Sequence, residues 1–498
     1  MLAIVAVLTL AILVFYNKWR RNYWKRRNVL QLESTHWFFG NSKDLLLNKR
    51  HMWDVVRENY DYFKSNQVKY GGLYSPVENI LFVIDPQLSK TILIKDFDSF
   101  MNHGMYFNEK TDPLSANLFM LEGPKWRALR QKLTPTFTSG KIKMMYHTMM
   151  TCASVLSDVM KNISISDEPV EMRDVLARFT TDIIGSCAFG IDCNSLKDPN
   201  SDFRVYGRRS AEPTLSFTQL TKMLLMMLLP NAVITAIGLK GMDQDVEDFF
   251  VNVVKSNIDY REKNNVIRKD FLQLLLQLKN QGQVKEDGDL SVKITQQSAM
   301  TFMELAAQCF VFFIGGFGTS SDVMTHALYE LSLNQDVQVK IRKSINEGLA
   351  KYNNEMSYEA IQEITDLENV VNETMRKYPI APVLPRRCTK TYKVPESDLI
   401  IEKGTKVWVP VTGYHYDSEF YPNPEKFNPD RFYENNPDYR PDVLFLPFGD
   451  GPRQCIGLRF GLLQSKLGLA TILKDYKFSL NDKSDIGKKL LYLNISKA

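Results

Sequence analysis

Cysteine and histidine are scarce in this chain of 498 residues, with six of each, and they form no C-x-x-C pair and no histidine cluster. This pattern argues against a zinc centre or a disulfide framework and favours a reducing compartment. The net charge of +5 is small and dispersed, which argues against a nucleic-acid partner. The chain also lacks internal repeats, low-complexity tracts and Ser/Gly-rich linkers, so we predict one large body without an internal domain boundary.

What the chain does contain begins with an apolar N-terminus. Met1 to Tyr16 is apolar except for Thr9, and six lysines or arginines follow within residues 18–27. A cleaved signal peptide carries its positive charge before the apolar run and a small-residue site after it, and this segment has neither feature. We therefore predict a membrane signal anchor over residues 1–27, whose basic flank keeps a single domain, residues 28–498, in the cytosol.

The most informative stretch lies near the C-terminus, where residues 448–457 read FGDGPRQCIG. The glycines let backbone N–H groups approach the sulfur of Cys455, and a thiolate supported in this way is suited to ligate a haem iron. Arg453 is placed to reach a haem propionate, and Phe448 to lie against the sulfur side of the ring. A helix predicted from Ile456 to Asp475 puts its positive N-terminal end near the sulfur. The alternative is a buried structural cysteine in a Gly/Pro loop.

The segment from Phe448 to Gly457 satisfies every fixed position of F-x-x-G-x-R-x-C-x-G, and so resembles the haem-binding signature of the cytochrome P-450 superfamily. The resemblance implies haem b (iron protoporphyrin IX) ligated by Cys455. It extends over nearly all of the chain, and the phrases at Leu133–Lys141 and Ala306–Gln308 are closest to the insect microsomal, xenobiotic-metabolising branch. The implied fold is mainly α with a minor β-sheet region, a triangular helical body with haem between the long central helix and the cysteine-loop helix.

Further residues match positions at which the family binds the haem propionates. Trp126 and Arg130 are four residues apart on a helix predicted to start near Pro124, and therefore share one face. This W-x-x-x-R pattern resembles the family's propionate-binding helix. Arg386 matches a third propionate-binding cation, and its neighbour Arg387 is the alternative, because either side chain can point inward.

Residues 301 to about 330 read as a long apolar helix, buried on every side in its first half. The run GGFGTS at residues 315–320 has three glycines that each weaken a helix, so a function should require them. It resembles the family's oxygen-activation motif, in which glycines such as Gly316 form a groove for O₂ and Thr319 donates a hydrogen bond to bound oxygen. Gly318 stands where the family has an acid, which predicts a slower proton supply and diversion of electrons to peroxide. Asp322, one helical turn further on, is a candidate substitute.

Glu373 and Arg376 are three residues apart on a predicted helix, a spacing that is common in solvated surface pairs. Arg431 changes this interpretation, because the family joins the three corresponding side chains in a buried ionic lock beneath the cysteine loop. We therefore predict that Glu373, Arg376 and Arg431 form one buried network.

Three segments have open interpretations. The aromatic-rich loop from Phe97 to Leu121 covers the oxygen side of the haem in the family, or it is ordinary core packing. The apolar run Met223–Leu229 is a buried helix end or a second membrane contact. Residues 28–41 contain no proline, whereas microsomal family members follow their anchor with a proline-rich hinge, so the rigidity of the body on the membrane is in question.

The resemblance implies an activity that inserts one oxygen atom of O₂ into a small apolar substrate at the endoplasmic reticulum membrane. Electrons are expected from NADPH cytochrome P-450 reductase, with cytochrome b5 as a second candidate donor. Lys125, Arg127 and Lys132 are predicted to offer the reductase a basic surface, unless they are an ordinary solvated helix face. Two other functions stay open because of Gly318: a haem-binding protein with impaired turnover, and a peroxide-rearranging enzyme that needs no reductase.

Overall fold

The protein is described by a computed structural model that covers residues 14–498 except 34–35, 48, 167, 212–216, 230, 285–299, 438–444 and 489. Helices dominate it, as predicted. The α-helices of the described residues are α1 Lys43–Leu46, α2 Met52–Ser65, α3 Pro86–Lys90, α4 Gly123–Leu133, α5 Ser139–Ile163, α6 Met172–Ile184, α7 Asp202–Ala211, α8 Phe217–Leu228, α9 Asn231–Ala236, α10 Gln244–Asn264, α11 Phe271–Gln281, α12 Phe302–Leu333, α13 Gln335–Ala350, α14 Tyr358–Glu363, α15 Thr365–Lys377, α16 Val411–His415 and α17 Leu458–Leu473.

The strands form three small sheets at the margin of the helical body. They are β1 Tyr70–Tyr74, β2 Asn79–Val83, β3 Val170–Glu171, β4 Leu384–Arg387, β5 Tyr392–Lys393, β6 Ile400–Ile401, β7 Lys406–Val409, β8 Tyr476–Leu480 and β9 Tyr492–Lys497. The largest sheet has the order β1-β2-β7-β4, in which β2 and β7 are parallel and the other pairs antiparallel. Strands β1 and β2 are consecutive in the chain and form an antiparallel hairpin.

Helix α12 runs through the core, and its first turn is set by a capping box. The Thr301 hydroxyl accepts from the Glu304 N–H, and the Glu304 carboxylate accepts from the Thr301 N–H at 2.7 Å. Of the described helices, α12 alone is long and apolar enough to cross a membrane, yet its side chains pack into the core. The predicted helix start at residue 301 is thus correct to within one residue.

The basic flank of the predicted anchor is packed against the β1–β2 hairpin. The indole of Trp24 is buried over Gly72, where any Cβ would overlap it, and its Nε1 donates to the Leu73 carbonyl at 3.2 Å. The Arg20 guanidinium donates to the Ser75 and Pro76 carbonyls at 2.7 and 2.8 Å. Side-chain packing therefore fixes this flank to the body without a proline hinge. Residues 1–13 of the predicted anchor lie outside the described residues.

Candidate active site

A cavity of about 370 Å³ lies between α12 and the loop that carries Cys455. Most of the predicted site residues line this cavity: Trp126, Arg130, Gly316, Thr319, Arg386, Phe448, Arg453, Cys455 and Gly457. Gly318 and Asp322 do not line it. The predicted residues that line it, from four separate parts of the chain, thus meet around one space.

The loop before α17 is shaped by two glycines in the left-handed region. Gly449 and Gly451 both have φ of +71°, and a Cβ on Gly451 would overlap the Leu93 carbonyl. The Cys455 N–H donates to the Phe448 carbonyl at 2.9 Å, which closes the loop. The turn therefore requires glycine at these positions and presents the sulfur of Cys455 to the cavity.

The Cys455 side chain opens onto the cavity although it lies deep within the protein. Burial raises the pKa of its thiol, while the Gly457 N–H and the positive charge of Arg130 act in the opposite direction. Helix α17 begins at Leu458, two residues later than predicted, with its N-terminal end beside the sulfur. These are groups that stabilise a thiolate, the form in which cysteine binds a metal.

Three arginines face the cavity, of which Arg386 and Arg453 are buried and Arg130 is half-buried, and no Asp or Glu is among the residues that line it. The Nε of Arg386 has no hydrogen-bond partner among the described residues, and burial lowers the pKa of this side chain to about 10. Burial, and secondly the charge of Arg386, lower the pKa of Arg453 to about 9. Burial also lowers the pKa of Arg130. Buried positive charge that lacks an acid partner fits an anionic group such as the two propionates of haem.

His103 is a further cavity residue, which the sequence analysis missed. It lies in the 97–121 loop, its Nδ1 is 3.0 Å from the Phe119 carbonyl, and burial together with Arg453 and Arg386 lowers its pKa to about 3. No motif marks it, because only the folded loop places it beside the arginines. Of the aromatic residues named for this loop, Phe119 lines the cavity, whereas Phe100 is packed in the core.

Arg453 does more than face the cavity. Its guanidinium donates to the carbonyls of Met101 at 3.0 Å and Leu121 at 2.6 Å, and it lies 4.2 Å from the centre of the Trp126 ring system. The cysteine loop and the 97–121 loop are therefore joined by one buried side chain.

The side chains of Arg386 and Arg387 point to opposite sides of strand β4. Arg386 faces the cavity, whereas Arg387 forms an ion pair with Glu78 and donates to the Gly404 carbonyl at 3.1 Å. Successive side chains of a strand point to opposite sides, so only one of the two can be inside. The structure favours Arg386, the residue that matches the family pattern.

On α12, the cavity face carries Gly315, Gly316, Thr319 and Ser320. The Thr319 hydroxyl donates to the Gly315 carbonyl at 2.6 Å. A Cβ on Gly316 would overlap the Ile184 side chain, so close packing of α6 on α12 requires this glycine, while Gly315 and Gly318 border open space.

The structure does not bring Asp322 to the cavity. Its carboxylate lies 3.4 Å from Nε of Arg173 on helix α6. Asp322 is therefore near Thr319 on α12 but does not line the cavity, and an ion pair holds its carboxylate against α6.

Glu373, Arg376 and Arg431 form a buried network, as the sequence pattern predicts. Arg376 binds both carboxylate oxygens of Glu373, at 2.7 and 2.9 Å, and Nε of Arg431 lies 3.4 Å from the same carboxylate. All three side chains are at most 3% exposed. Arg376 also donates to the His415 and Pro424 carbonyls, so it ties α15 to the segment that leads to the cysteine loop.

The predicted basic surface is less positive than its sequence indicates. Lys125 pairs with Glu109 at 2.6 Å, and Arg127 pairs with Asp98. These exposed pairs leave little net charge at two of the three positions.

Comparison with known proteins agrees with this geometry. The family model described as Cytochrome P450 matches residues 30–495. Cytochrome P450 6A1 of Musca domestica is 42% identical over 97% of this chain and 95% of its own length. Probable cytochrome P450 6a23 of Drosophila melanogaster is 41% identical over 99% of this chain and 96% of its own length. Cytochrome P450 6a2 of Drosophila melanogaster is 40% identical over 95% and 92%, respectively.

Proposed function

Because this chain belongs to the cytochrome P450 family and is a haem-thiolate monooxygenase, we propose that Cys455 is the residue that ligates its haem iron. The observation that supports this assignment is the combination of the Cys455 sulfur with the buried Arg386 and Arg453 and the half-buried Arg130 around a cavity that no carboxylate lines. A structural cysteine would need neither the cavity nor the unpaired charges. The five other cysteines lie elsewhere, and none lines this cavity.

Haem, when bound, would supply the redox centre at which O₂, two electrons and two protons give one oxygen atom for the substrate and one molecule of water. The chain's own residues would orient that group. Arg130, Arg386 and Arg453 would hold the propionates, assisted by Trp126, and Phe448 would pack beside the sulfur. Binding of an anion relieves the charge repulsion between Arg386 and Arg453, so haem completes the folded body.

Thr319 and Ser320 are the polar side chains that α12 presents to the cavity, and we assign to Thr319 the hydrogen bond that would orient O₂ in the site. Gly318 stands in place of the family's acid and Asp322 is paired with Arg173, so neither position supplies a carboxylate to the cavity. Apolar side chains including Val311, Phe312 and Val323 line the rest of the cavity and suit small lipophilic substrates, among them xenobiotics.

Residues 1–27 anchor the protein in the endoplasmic reticulum membrane, and residues 28–498 form one catalytic domain on the cytosolic side. The sequence of the N-terminus supports this location. Electrons come from NADPH cytochrome P450 reductase, and cytochrome b5 is a second donor. Because Lys125 and Arg127 are neutralised by acids, the reductase relies on other cations of the cysteine side, such as exposed Arg459.

The experiment is a carbon monoxide difference spectrum of the reduced protein for wild type, Cys455→Ser and Cys152→Ser. Wild type and Cys152→Ser, a half-buried cysteine outside the cavity, should show the Soret band of a thiolate-ligated haem. Cys455→Ser should lose it. An unaltered Soret band in Cys455→Ser would refute the assignment.

NADPH consumption in the presence of reductase separates the monooxygenase from the two other functions. NADPH consumption that is coupled to product formation identifies the monooxygenase. The relatives belong to the same family. Peroxide rearrangement would consume no NADPH, and a haem protein with impaired turnover would consume it without product.

A further inference from the structure

Two side chains from neighbouring helices bind consecutive carbonyl groups in the glycine-rich segment of α12. The Thr180 hydroxyl, on α6, donates to the Phe317 carbonyl at 2.8 Å and lies 3.1 Å from the Ala177 carbonyl of its own helix. The Gln464 amide, on α17, donates to the Gly316 carbonyl at 3.0 Å. Both side chains are fully buried. The carbonyls lie inside a continuous helix, so these bonds are additional to the helix's own bonds and use the second lone pair of each oxygen.

The close packing of the three helices explains how these donors reach the backbone. Ile184, one turn after Thr180 on α6, fills the space that a side chain at Gly316 would need. On α17, Gly468 lies one turn after Gln464 and leaves room for Met324 of α12 and Phe179 of α6. Glycines at both contacts therefore bring α6 and α17 within hydrogen-bond distance of one segment of α12.

This segment needs support from outside. Gly315 and Gly318 have no side chains to pack, and the space at their Cβ positions is open. Glycine leaves the backbone freer than any other residue does. Thr319 follows directly and lines the cavity, so movement of the backbone at residues 315–318 would move its hydroxyl.

We propose that Thr180 and Gln464 are positioning residues for the monooxygenase reaction. They fix the carbonyl groups of residues 316 and 317 from two sides, and thereby hold the Thr319 hydroxyl at the haem face. Neither residue touches substrate. The proposal rests on the function proposed above for Thr319 and Cys455.

The experiment compares Thr180→Val with Thr181→Val and Thr180→Ser in the haem-loaded enzyme. Thr181 is a matched control, because it is equally buried on the same helix but donates to the Ala177 carbonyl of its own helix, at 2.7 Å. With an ethoxycoumarin as probe substrate, we expect kcat of Thr180→Val to fall about tenfold with KM nearly unchanged, since small misplacements affect the reacting geometry. Thr180→Ser should restore kcat, and Thr181→Val should resemble wild type.

A readout independent of turnover is the infrared stretching band of carbon monoxide bound to the reduced protein. It should shift or broaden in Thr180→Val and in Gln464→Met, which removes the donor on α17, and stay unchanged in Thr181→Val. Equal behaviour of Thr180→Val and Thr181→Val, whether normal or impaired, would overturn the proposal. If Thr180→Val does not fold, Gln464→Met decides: an unchanged band overturns the proposal as well. A missing thiolate Soret band in wild type would instead refute the proposed function.

Discussion

At the scale of single residues, what the site can bind depends on which charged side chains have an oppositely charged partner. Arg386 and Arg453 are buried beside a cavity without an acid, whereas Asp322 and Arg387, each within a few residues of a site position, are held by Arg173 and Glu78. The first group can bind an anion, and the second cannot turn toward the cavity without breaking an ion pair.

Gly318 is the position at which a substitution should most increase the amount of product formed per NADPH consumed. Gly318→Glu fits the open space at this position and restores the family's acid, so product formed per NADPH should rise. Gly318→Gln is the matched control, since both variants gain about 0.5–1 kcal/mol of helix stability but only one carries the carboxylate. Equal product per NADPH in wild type and Gly318→Glu would contradict the role assigned to the missing acid.

Arg386 and Arg387 are adjacent residues of the same type, so substituting each in turn tests which of them binds haem. Arg386→Gln should weaken haem binding by about tenfold or more, because a charge-assisted hydrogen bond contributes about 1.5–3 kcal/mol. Arg387→Gln breaks a partly exposed ion pair and should leave haem affinity nearly unchanged. Titration of the apoprotein with haem measures both. Greater weakening in Arg387→Gln would show that the assignment is reversed.

His415 gives the molecule an acid-sensitive residue. The Leu446 N–H donates to its Nε2 at 3.1 Å, so the neutral ring donates from Nδ1 to the Arg376 carbonyl, at 3.0 Å. Burial, and secondly the charge of Arg376, lower its pKa to about 3. The unfolded chain, with a pKa near 6.5, binds this proton more readily than the folded one between about pH 6.5 and 3.

Stability should therefore fall as the pH decreases below about 6.5, by at most about 1.4 kcal/mol per pH unit from His415. The measurement is the thermal unfolding temperature between about pH 7.5 and 5.5. The decrease should be shallower in His415→Gln, which cannot take up the proton. Parallel curves for the two proteins would exclude His415 as the source.

At the scale of elements, the packing of helices explains why residues such as a glycine inside helix α12 are needed. Gly316 is required by the contact of α6 with α12, whereas Gly315 and Gly318 meet no steric demand. Arg376 donates to the His415 and Pro424 carbonyls and so connects helix α15 to the segment that precedes the cysteine loop. The ionic lock thus helps to position the loop that carries Cys455.

Arg376→Ala should yield protein without haem. It removes the cation that binds both oxygens of the buried Glu373 carboxylate, which keeps Arg431 and the Asn428 N–H as partners, a change that costs about 3–5 kcal/mol. Haem content per protein is the measurement. Lys343→Ala removes an exposed i,i+4 pair with Glu347 and should keep full haem content, because such pairs contribute at most about 1 kcal/mol. Normal haem incorporation in Arg376→Ala would disprove the lock.

At the scale of the whole molecule, the basic flank of the predicted anchor, residues 18–27, packs on the folded body. Trp24 is 1% exposed over Gly72, and Arg20 is bound to the turn between β1 and β2. Side-chain packing therefore fixes this flank to the body, although residues 28–41 contain no proline.

Trp24→Ala should release this segment, since removing a buried tryptophan costs about 3–5 kcal/mol. The released lysines and arginines of residues 18–27 should then be cleaved faster by trypsin. Trp19→Ala is the control, because Trp19 is 53% exposed and its loss should leave cleavage unchanged. Equal cleavage rates in wild type and Trp24→Ala would show that the packing does not protect the segment.

The sequence by itself determined the family, the haem-thiolate chemistry, the mainly helical fold, and local groups such as Trp126 with Arg130 or Glu373 with Arg376. These follow from short spacings, because residues three or four apart share a helix face whatever surrounds them. Only the tertiary structure decided that Arg386 rather than Arg387 faces the cavity, that Asp322 does not line it, and that His103, Thr180 and Gln464 surround the site. The reason is that partners distant in sequence are selected by packing and by the pairing of buried charge, and neither is visible in a local pattern.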